Sequence, residues 1–398
     1  MTDPGGPPDR RGDPAEAGPR RRRRKVIFVV TEDWYFCSHR LPMALAAQEL
    51  GCEVVVATRV DRHGDEIRGR GFRLVDWKLD RRSAHPLREA AAFLRLVALY
   101  RRERPDLVHH VALKPVLYGA LAARLAGVPA VVNALAGLGA AFIATSRLAR
   151  HRQRALLALF RRLLDRPGSR LLVQNEDDRA LFAGAGIVAP ERIALIPGSG
   201  VDTERFAPSP EPPGVPVAVL AGRMLWDKGV GEAVEAARLL QERGVALRVA
   251  LVGRSDPANP RSIAEETLAE WTRSGVVEWW GQRDDMDAVW RAASIGLLPS
   301  YREGMPKALL EAAASGRPLV ATDVPGCRAL VRHGVDGLLV APRDAASLAA
   351  ALAELAGSPE LRARLGAAAR EAVVARFADR EVRRQIQALY REMLGPPG

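Results

Sequence analysis

The chain has 398 residues, 48% of them hydrophobic and 27% charged, with a formal net charge of +12. That length exceeds what one core usually supports and points to two domains. The lack of any run of about 18 apolar residues excludes a spanning helix, and the positive excess calls for an anionic partner.

Residues 1–24 form a Pro/Gly-rich basic arm that ends in the run from Arg20 to Arg24, with Lys25 beside it. The run is either a solvated arm or an electrostatic tether to an anionic membrane. No apolar signal-peptide region precedes the first strand, so secretion is not expected. Cys37, Cys52 and Cys327 are scattered, without metal-ligand or disulfide spacing, which fits a reducing cytoplasm.

From Lys25 onwards, short β-branched runs alternate with longer amphipathic ones, the pattern of parallel strands joined by crossover helices. Strands are predicted at 26–30, 53–57, 107–111, 130–133, 170–173 and 193–196. Residues 207–216, six of them Pro or Gly, read as a linker that ends a first domain of residues 25–206. A second series, at 217–221, 248–252, 276–280, 295–298 and 319–322, repeats the architecture over residues 217–375. Residues 376–398 hold an amphipathic helix expected to pack back between the domains. The fold class is therefore α/β, with two Rossmann-like, doubly wound parallel sheets facing across a cleft, and the residues just after strands become the candidates.

After the first strand, Ser38 and Arg40 lead into a helix and face that cleft, although a helix cap is the plainer role for Ser38. His109 and His110 end a strand and point to opposite faces, so one of them is structural. Lys114 follows as either a site cation or a surface residue, and Gly137 lies in a loop after another strand. Residues 140–170 form a basic amphipathic stretch, with Phe142, Ile143, Leu156, Leu157, Phe160, Leu163 and Leu164. It either lies on an anionic bilayer or packs on its own sheet.

In the second half, Arg223 and Lys228 flank a glycine-lined loop where a guanidinium fork and an ammonium can meet phosphate oxygens. Glu303, Gly304 and Met305 lead into a short helix with Pro306 in its first turn, which Gly316 ends. The helix start offers free amides to a diphosphate, and Glu311 lies roughly 7 Å along the helix beyond Pro306. Gly253 and Arg283 sit at two further strand ends that can line a nucleotide.

With these motifs in place, residues 25–395 resemble glycosyltransferase family four, of the GT-B fold. The resemblance implies that Glu303 contacts the donor sugar, that Glu311 contacts the ribose, and that Arg223 and Lys228 neutralise the diphosphate, with catalysis assigned to Glu303, Arg223 and Lys228. Gly304, Met305, Gly253 and Arg283 would join them around the nucleotide sugar, while Ser38, Arg40, His109, His110, Lys114 and Gly137 would form the acceptor or donor loops. It also implies retention of configuration without a metal or other cofactor, the UDP-sugar being a substrate. The narrower resemblance is to the branch acting on undecaprenyl-diphosphate-linked sugars, which implies a peripheral enzyme on the inner face of the plasma membrane. A nucleotide-sugar 2-epimerase is the rival enzyme class, and a glycosyltransferase acting on a soluble acceptor is the other alternative. Nucleic acid is not expected as a partner, since zinc spacing and aromatic RNA-binding signatures are missing.

Overall fold

The computed structural model describes residues 22–79, 85–135, 147–257 and 259–396, with the side chains of 147–154 and 156 left aside. Seven strands build the first sheet: β1 (Lys25–Glu32), β2 (Glu53–Arg59), β3 (Arg73–Asp76), β4 (Leu107–Val111), β5 (Ala130–Ala134), β6 (Ser169–Val173) and β7 (Ile193–Leu195). They run parallel in the order β3-β2-β1-β4-β5-β6-β7. Six more build the second: β8 (Val217–Ala221), β9 (Arg248–Val252), β10 (Glu278–Gly281), β11 (Ile295–Leu298), β12 (Leu319–Thr322) and β13 (Gly337–Val340). Their parallel order is β10-β9-β8-β11-β12-β13.

Helices cover both faces of each sheet, which is why the central strands read as unbroken apolar runs. Along β1, Val26, Phe28 and Val30 enter one core while Ile27 and Val29 enter the other, the two-residue period of a strand. The strand order reverses between β1 and β4 and again between β8 and β11. Ligand crevices open at such switch points, so the loops after these four strands define the place to look.

The chain passes from the first unit to the second before it reaches the Pro-rich stretch. Ile196 is the last side chain in the first core before this crossing, and Val201 and Phe206 already belong to the second. Residues 207–216 are then tied to the second unit, where buried Arg317 donates to Ser209 Oγ (2.6 Å) and Arg362 to Glu211 (2.8 Å).

A second passage runs in the opposite direction. Phe377 packs in the second core, whereas Val382, Ile386, Leu389 and Tyr390 of the helix Asp379–Leu394 pack in the first. Burying those four side chains contributes roughly 6–12 kcal/mol. The two passages are joined, since Val201 N–H donates to Phe377 O and Asp379 N–H to Val201 O, both at 3.0 Å. Gly200, at φ +77°, fits there because a Cβ would lie 2.5 Å from Asp379 Oδ1.

Burial, reinforced by Asp202, raises the Asp379 carboxyl to about 6. The folded state therefore holds this proton more firmly than the unfolded chain, and that contribution fades as pH rises from about 4 through 6. Asp379→Asn is expected to be about 2 kcal/mol more stable than the parent at pH 7.5 and equal to it at pH 4. Urea unfolding at the two pH values checks this.

The apolar residues 160, 163 and 164 of the basic amphipathic stretch belong to the helix Arg147–Leu164. There Phe160, Leu163 and Leu164 pack with Val173 and Phe182 in the first unit's core, and Leu157 rests against it. For these residues packing on their own sheet replaces the bilayer contact. Phe142, Ile143 and the Leu156 side chain lie outside the described residues. Among the described residues, no helix is long and apolar enough to cross a membrane.

Candidate active site

At the β8–β11 switch point the chain after β8 forms the turn Trp226–Lys228. Gly229 follows at φ +72°, and a Cβ there would stand 2.0 Å from Pro299 O, so only glycine lets this turn lie directly on the loop after β11. Tyr301 N–H (3.0 Å) and Ser300 Oγ–H (3.1 Å) both donate to Asp227 O and fix the two loops together. Lys228 Nζ is thereby placed 2.5 Å from Glu303 Oε1, although 75 residues separate them. Gly326 packs under the Glu303 carbonyl and donates to it at 3.2 Å. Arg223 instead meets Asp256, with Nη1 3.0 Å from Oδ2, so the two cations answer two different carboxylates.

The helix that follows spans Lys307–Ala314, and Pro306 is its N-cap residue at φ −78° and ψ 103° rather than a member of the first turn. Gly316, at φ +76°, sits just past its end. Glu311 is buried, accepts from Trp290 Nε1 at 3.3 Å and lies 3.8 Å from Lys307 Nζ. Burial raises its carboxyl above the usual range, while Lys307 and Trp290 pull it back.

Glu303 and Glu311 thus occupy different environments, one paired to an ammonium and the other desolvated. Gly253, at φ +145°, has both backbone polar groups engaged: its N–H donates to Gly281 O (2.7 Å) and its O accepts from Trp279 Nε1 (2.8 Å). Arg283 forms a two-pronged pair with Asp285 (2.7 and 2.6 Å) beside a pocket of about 300 Å³ lined by Trp280, Ala288 and Val289.

The first unit presses its own loops onto these elements. Asn175 caps the helix Glu176–Gly184 and also donates to Gly304 O at 2.9 Å. Buried Asp178 accepts from Arg302 at 2.8 Å. Met305 lies against Gly198, where a Cβ would stand 2.6 Å from the Met305 Cγ. Lys307 Nζ donates to Ser38 O at 2.6 Å. A cavity of about 360 Å³ opens between Asp33, Trp34 and Asp61 on one side and Arg223, Arg254 and Asp256 on the other.

The loop after β1 differs from the sequence reading. The strand runs on to Glu32, and Asp33 starts a short helix, Asp33–His39. Ser38 therefore sits in a last turn, its Oγ–H donating to Trp34 O (2.8 Å), and it caps no helix start. Arg40 does not face an open cleft either, because it is fully buried, with Nη1 3.6 Å from Met43 Sδ and Nη2 3.4 Å from Tyr35 Oη. Its Nε has no partner in the described structure.

Between them lies His39, which sequence reasoning passed over. It stacks on Tyr35 at 4.4 Å, and its Nδ1 is 2.6 Å from Ser38 Oγ. Burial, followed by Lys307, Arg40 and Lys228, keeps it well below the ordinary imidazole range, so it is neutral at pH 7. Lys307, Asn175 and Asp178 were also missed; an Asn three residues before an Asp at a strand end was the available capping signal.

Both histidines of β4 are fully buried. Asn133 donates its Nδ2–H to Ser169 (3.2 Å), so its Oδ1 accepts from His110 Nδ1 (2.8 Å), and His110 Nε2 accepts from Tyr100 Oη (2.8 Å). His110 is therefore the structural member. Removing that hydroxyl in Tyr100→Phe should cost about 1–2 kcal/mol in denaturant unfolding and leave the donor KM unchanged. His109 Nδ1 meets Tyr390 Oη at 2.6 Å and its Nε2 has no partner in the described structure. Lys114 is paired with Glu89 at 3.1 and 3.0 Å, and Gly137 lies outside the described residues.

Residues 25–175 match the family profile "Glycosyl transferase 4-like", and residues 215–358 match "Glycosyl transferases group 1". The chain is 27% identical, over 82% of its length and 88% of the relative's, to the N,N'-diacetylbacillosaminyl-diphospho-undecaprenol alpha-1,3-N-acetylgalactosaminyltransferase of Campylobacter jejuni. It is 28% identical, over 67% and 70%, to the UDP-Gal:alpha-D-GlcNAc-diphosphoundecaprenol alpha-1,3-galactosyltransferase of Escherichia coli.

Among solved structures, sucrose-phosphate synthase from Thermosynechococcus elongatus superposes with a TM-score of 0.77 at 21% identity, covering 93% of this chain and 99% of the other. Anabaena HepE, solved with UDP, superposes at 0.75 and 19%, covering 92% and 100%. These two likenesses speak for the GT-B fold. With both profiles matched and the twin switch points built as described, the chain belongs to the family-four, group 1 glycosyltransferases of the GT-B fold and is a glycosyltransferase.

Proposed function

We propose that this enzyme moves an N-acetylhexosamine or hexose from a UDP-sugar to an undecaprenyl-diphosphate-linked saccharide, with retention of configuration and no metal at the diphosphate. The observation that carries this reading is the Lys228–Glu303 pair at the β8–β11 switch point, beside the start of the helix Lys307–Ala314. A diphosphate seated there meets an ammonium and a helix N-terminus, the kind of charge a departing nucleotide needs.

Lys228 and Arg223 stabilise the leaving group, Glu303 orients the sugar, and Glu311 receives the ribose hydroxyls. The acceptor hydroxyl attacks from the same face, and a diphosphate oxygen takes its proton. His39, held neutral by burial and by the charges of Lys307, Arg40 and Lys228, lies near this centre. The names of the Campylobacter and Escherichia relatives, each specifying a diphospho-undecaprenol sugar acceptor, support the lipid-linked substrate.

Docking on the inner membrane face is supported from the helix Pro86–Glu103. Its outer surface carries Leu87 and Leu94, 76% and 64% exposed, beside exposed Arg88, Arg95 and Arg102. Such a face suits an anionic interface.

The test incubates the protein and a chelator with a panel of UDP-sugars, with and without undecaprenyl-diphosphate-linked acceptors. Acceptor mass and UDP release are followed together. A hexosamine or hexose mass gain is expected. Isomerised donor without an extended lipid overturns the reading in favour of the epimerase.

A further inference from the structure

Three unlike donor groups that the proposed mechanism does not use meet in the first unit, behind the stretch after β1. The Cys37 sulfur, a ring nitrogen of His63 and a carboxylate oxygen of Glu66 all lie within 4.8 Å of one another. They come from two pieces of backbone: Cys37 from the helix Asp33–His39, and His63 and Glu66 from the helix Gly64–Gly69, of which His63 is the N-cap residue. His63 Nδ1 is 3.0 Å from Glu66 Oε2, and burial, followed by the nearby Glu66 carboxylate, raises the Cys37 thiol.

The backbone that presents these groups is held by a fourth residue. Buried Asp33 accepts through Oδ2 from the N–H groups of Asp61 (2.7 Å) and His63 (2.9 Å), and through Oδ1 from Trp34 N–H (2.7 Å). One carboxylate thus pins the His63 loop to the helix that carries Cys37, so the three donors face one another before any ion arrives.

Sulfur, imidazole and carboxylate together are the donor set of zinc and its soft divalent neighbours. Bonds of about 2.0–2.3 Å in a tetrahedral site place donors about 3.3–3.7 Å apart. Closing from 4.8 Å requires side-chain movements of about 1 Å. His63 and Glu66 have that freedom, their side chains being 40% and 42% exposed.

We propose that Cys37, His63 and Glu66 bind one zinc-class cation, with water as the fourth ligand. On binding, the Cys37 S–H bond breaks, its proton leaves to solvent and the sulfur pair forms the metal–sulfur bond. The ion would tie the helix Asp33–His39 to the helix Gly64–Gly69. Asp33, Trp34 and Asp61 line the cleft opposite Arg223 and Arg254, so the clamp would stiffen one lip of that cleft.

The test uses tag-free, full-length protein titrated with zinc chloride, and with cobalt(II) as a spectroscopic stand-in. One equivalent should bind, the cobalt form showing thiolate-to-metal charge-transfer absorption. Cys37→Ser should abolish that band, and Glu66→Gln should weaken zinc at least about tenfold. Glu66 is solvent-facing, so its glutamine variant tests the ion without threatening the fold.

Chelation should lower the melting temperature of the zinc-loaded parent by about 3 °C and leave Glu66→Gln unmoved. Substoichiometric zinc, or equal binding by parent and Cys37→Ser, would overturn the site and leave only a thiol–carboxylate–imidazole cluster. None of these readouts depends on sugar transfer.

Discussion

Replacing Lys228 by alanine lowers turnover by at least about a hundredfold, while binding of UDP weakens far less. The asymmetry follows from where the ammonium stands. Its 2.5 Å partner at rest is Glu303, so the ground state already satisfies the charge. What the lysine adds is stabilisation of the negative charge that grows on the diphosphate as the sugar departs.

Truncation removes that stabilisation and strands Glu303, only 11% exposed, without its ion pair. Arginine in the same place keeps the charge but replaces a compact ammonium with a wider planar fork, so Lys228→Arg should recover only part of the rate. Steady-state kinetics on both variants, with UDP affinity measured by calorimetry, decides the matter. Near-normal turnover in the alanine variant removes Lys228 from the mechanism.

The second large effect is on stability. Gly253→Ala is expected to cost about 3–5 kcal/mol, combining left-handed backbone strain with overpacking. The added Cβ would fall 1.8 Å from Gly222 O at φ +145°. Neither partner can swing aside, since both are main chain: Gly222 N–H donates to Val252 O and Gly253 N–H to Gly281 O.

The ends of β8, β9 and β10 would have to separate, carrying Arg223 away from Asp256. Calorimetry should show the second unit's transition falling by about 10 °C, with donor KM rising in parallel. A variant of parental stability would mean that the two loops are not in backbone contact.

Much of this architecture could be read in the residues, and the misses share a cause. Strands such as β1 and β8 are buried on both faces, so they announce themselves as apolar runs. The undetected pair, β3 and β13, are four-residue strands at sheet edges. The residues Arg73–Asp76 carry a charge at each end, and Gly337–Val340 opens on a glycine whose Cβ would crowd Leu319 O. Edge strands with one neighbour require less apolar surface.

In the candidate site, Arg223, Lys228, Glu303 and Glu311 could be named as candidates because each lies within a short motif. Their pairings were not, because Lys228 meets Glu303 across 75 residues. Lys307, Asn175 and Asp178 matter through contacts between units, and nothing local in a sequence records which loops will touch. His109 illustrates the limit, since its partner Tyr390 lies 281 residues away.

That distance also sets an order of assembly. The ribosome completes every described strand of the first sheet by Leu195, yet the core beneath that sheet also takes Val382, Ile386, Leu389 and Tyr390. At about 5–20 residues per second, the intervening stretch takes about 10–40 s to synthesise. During that interval the earlier half of the protein carries an open apolar gap, while the later half can close its own sheet. The part translated first is therefore finished last, and a chain cut short before Ile386 would be defective in its N-terminal unit.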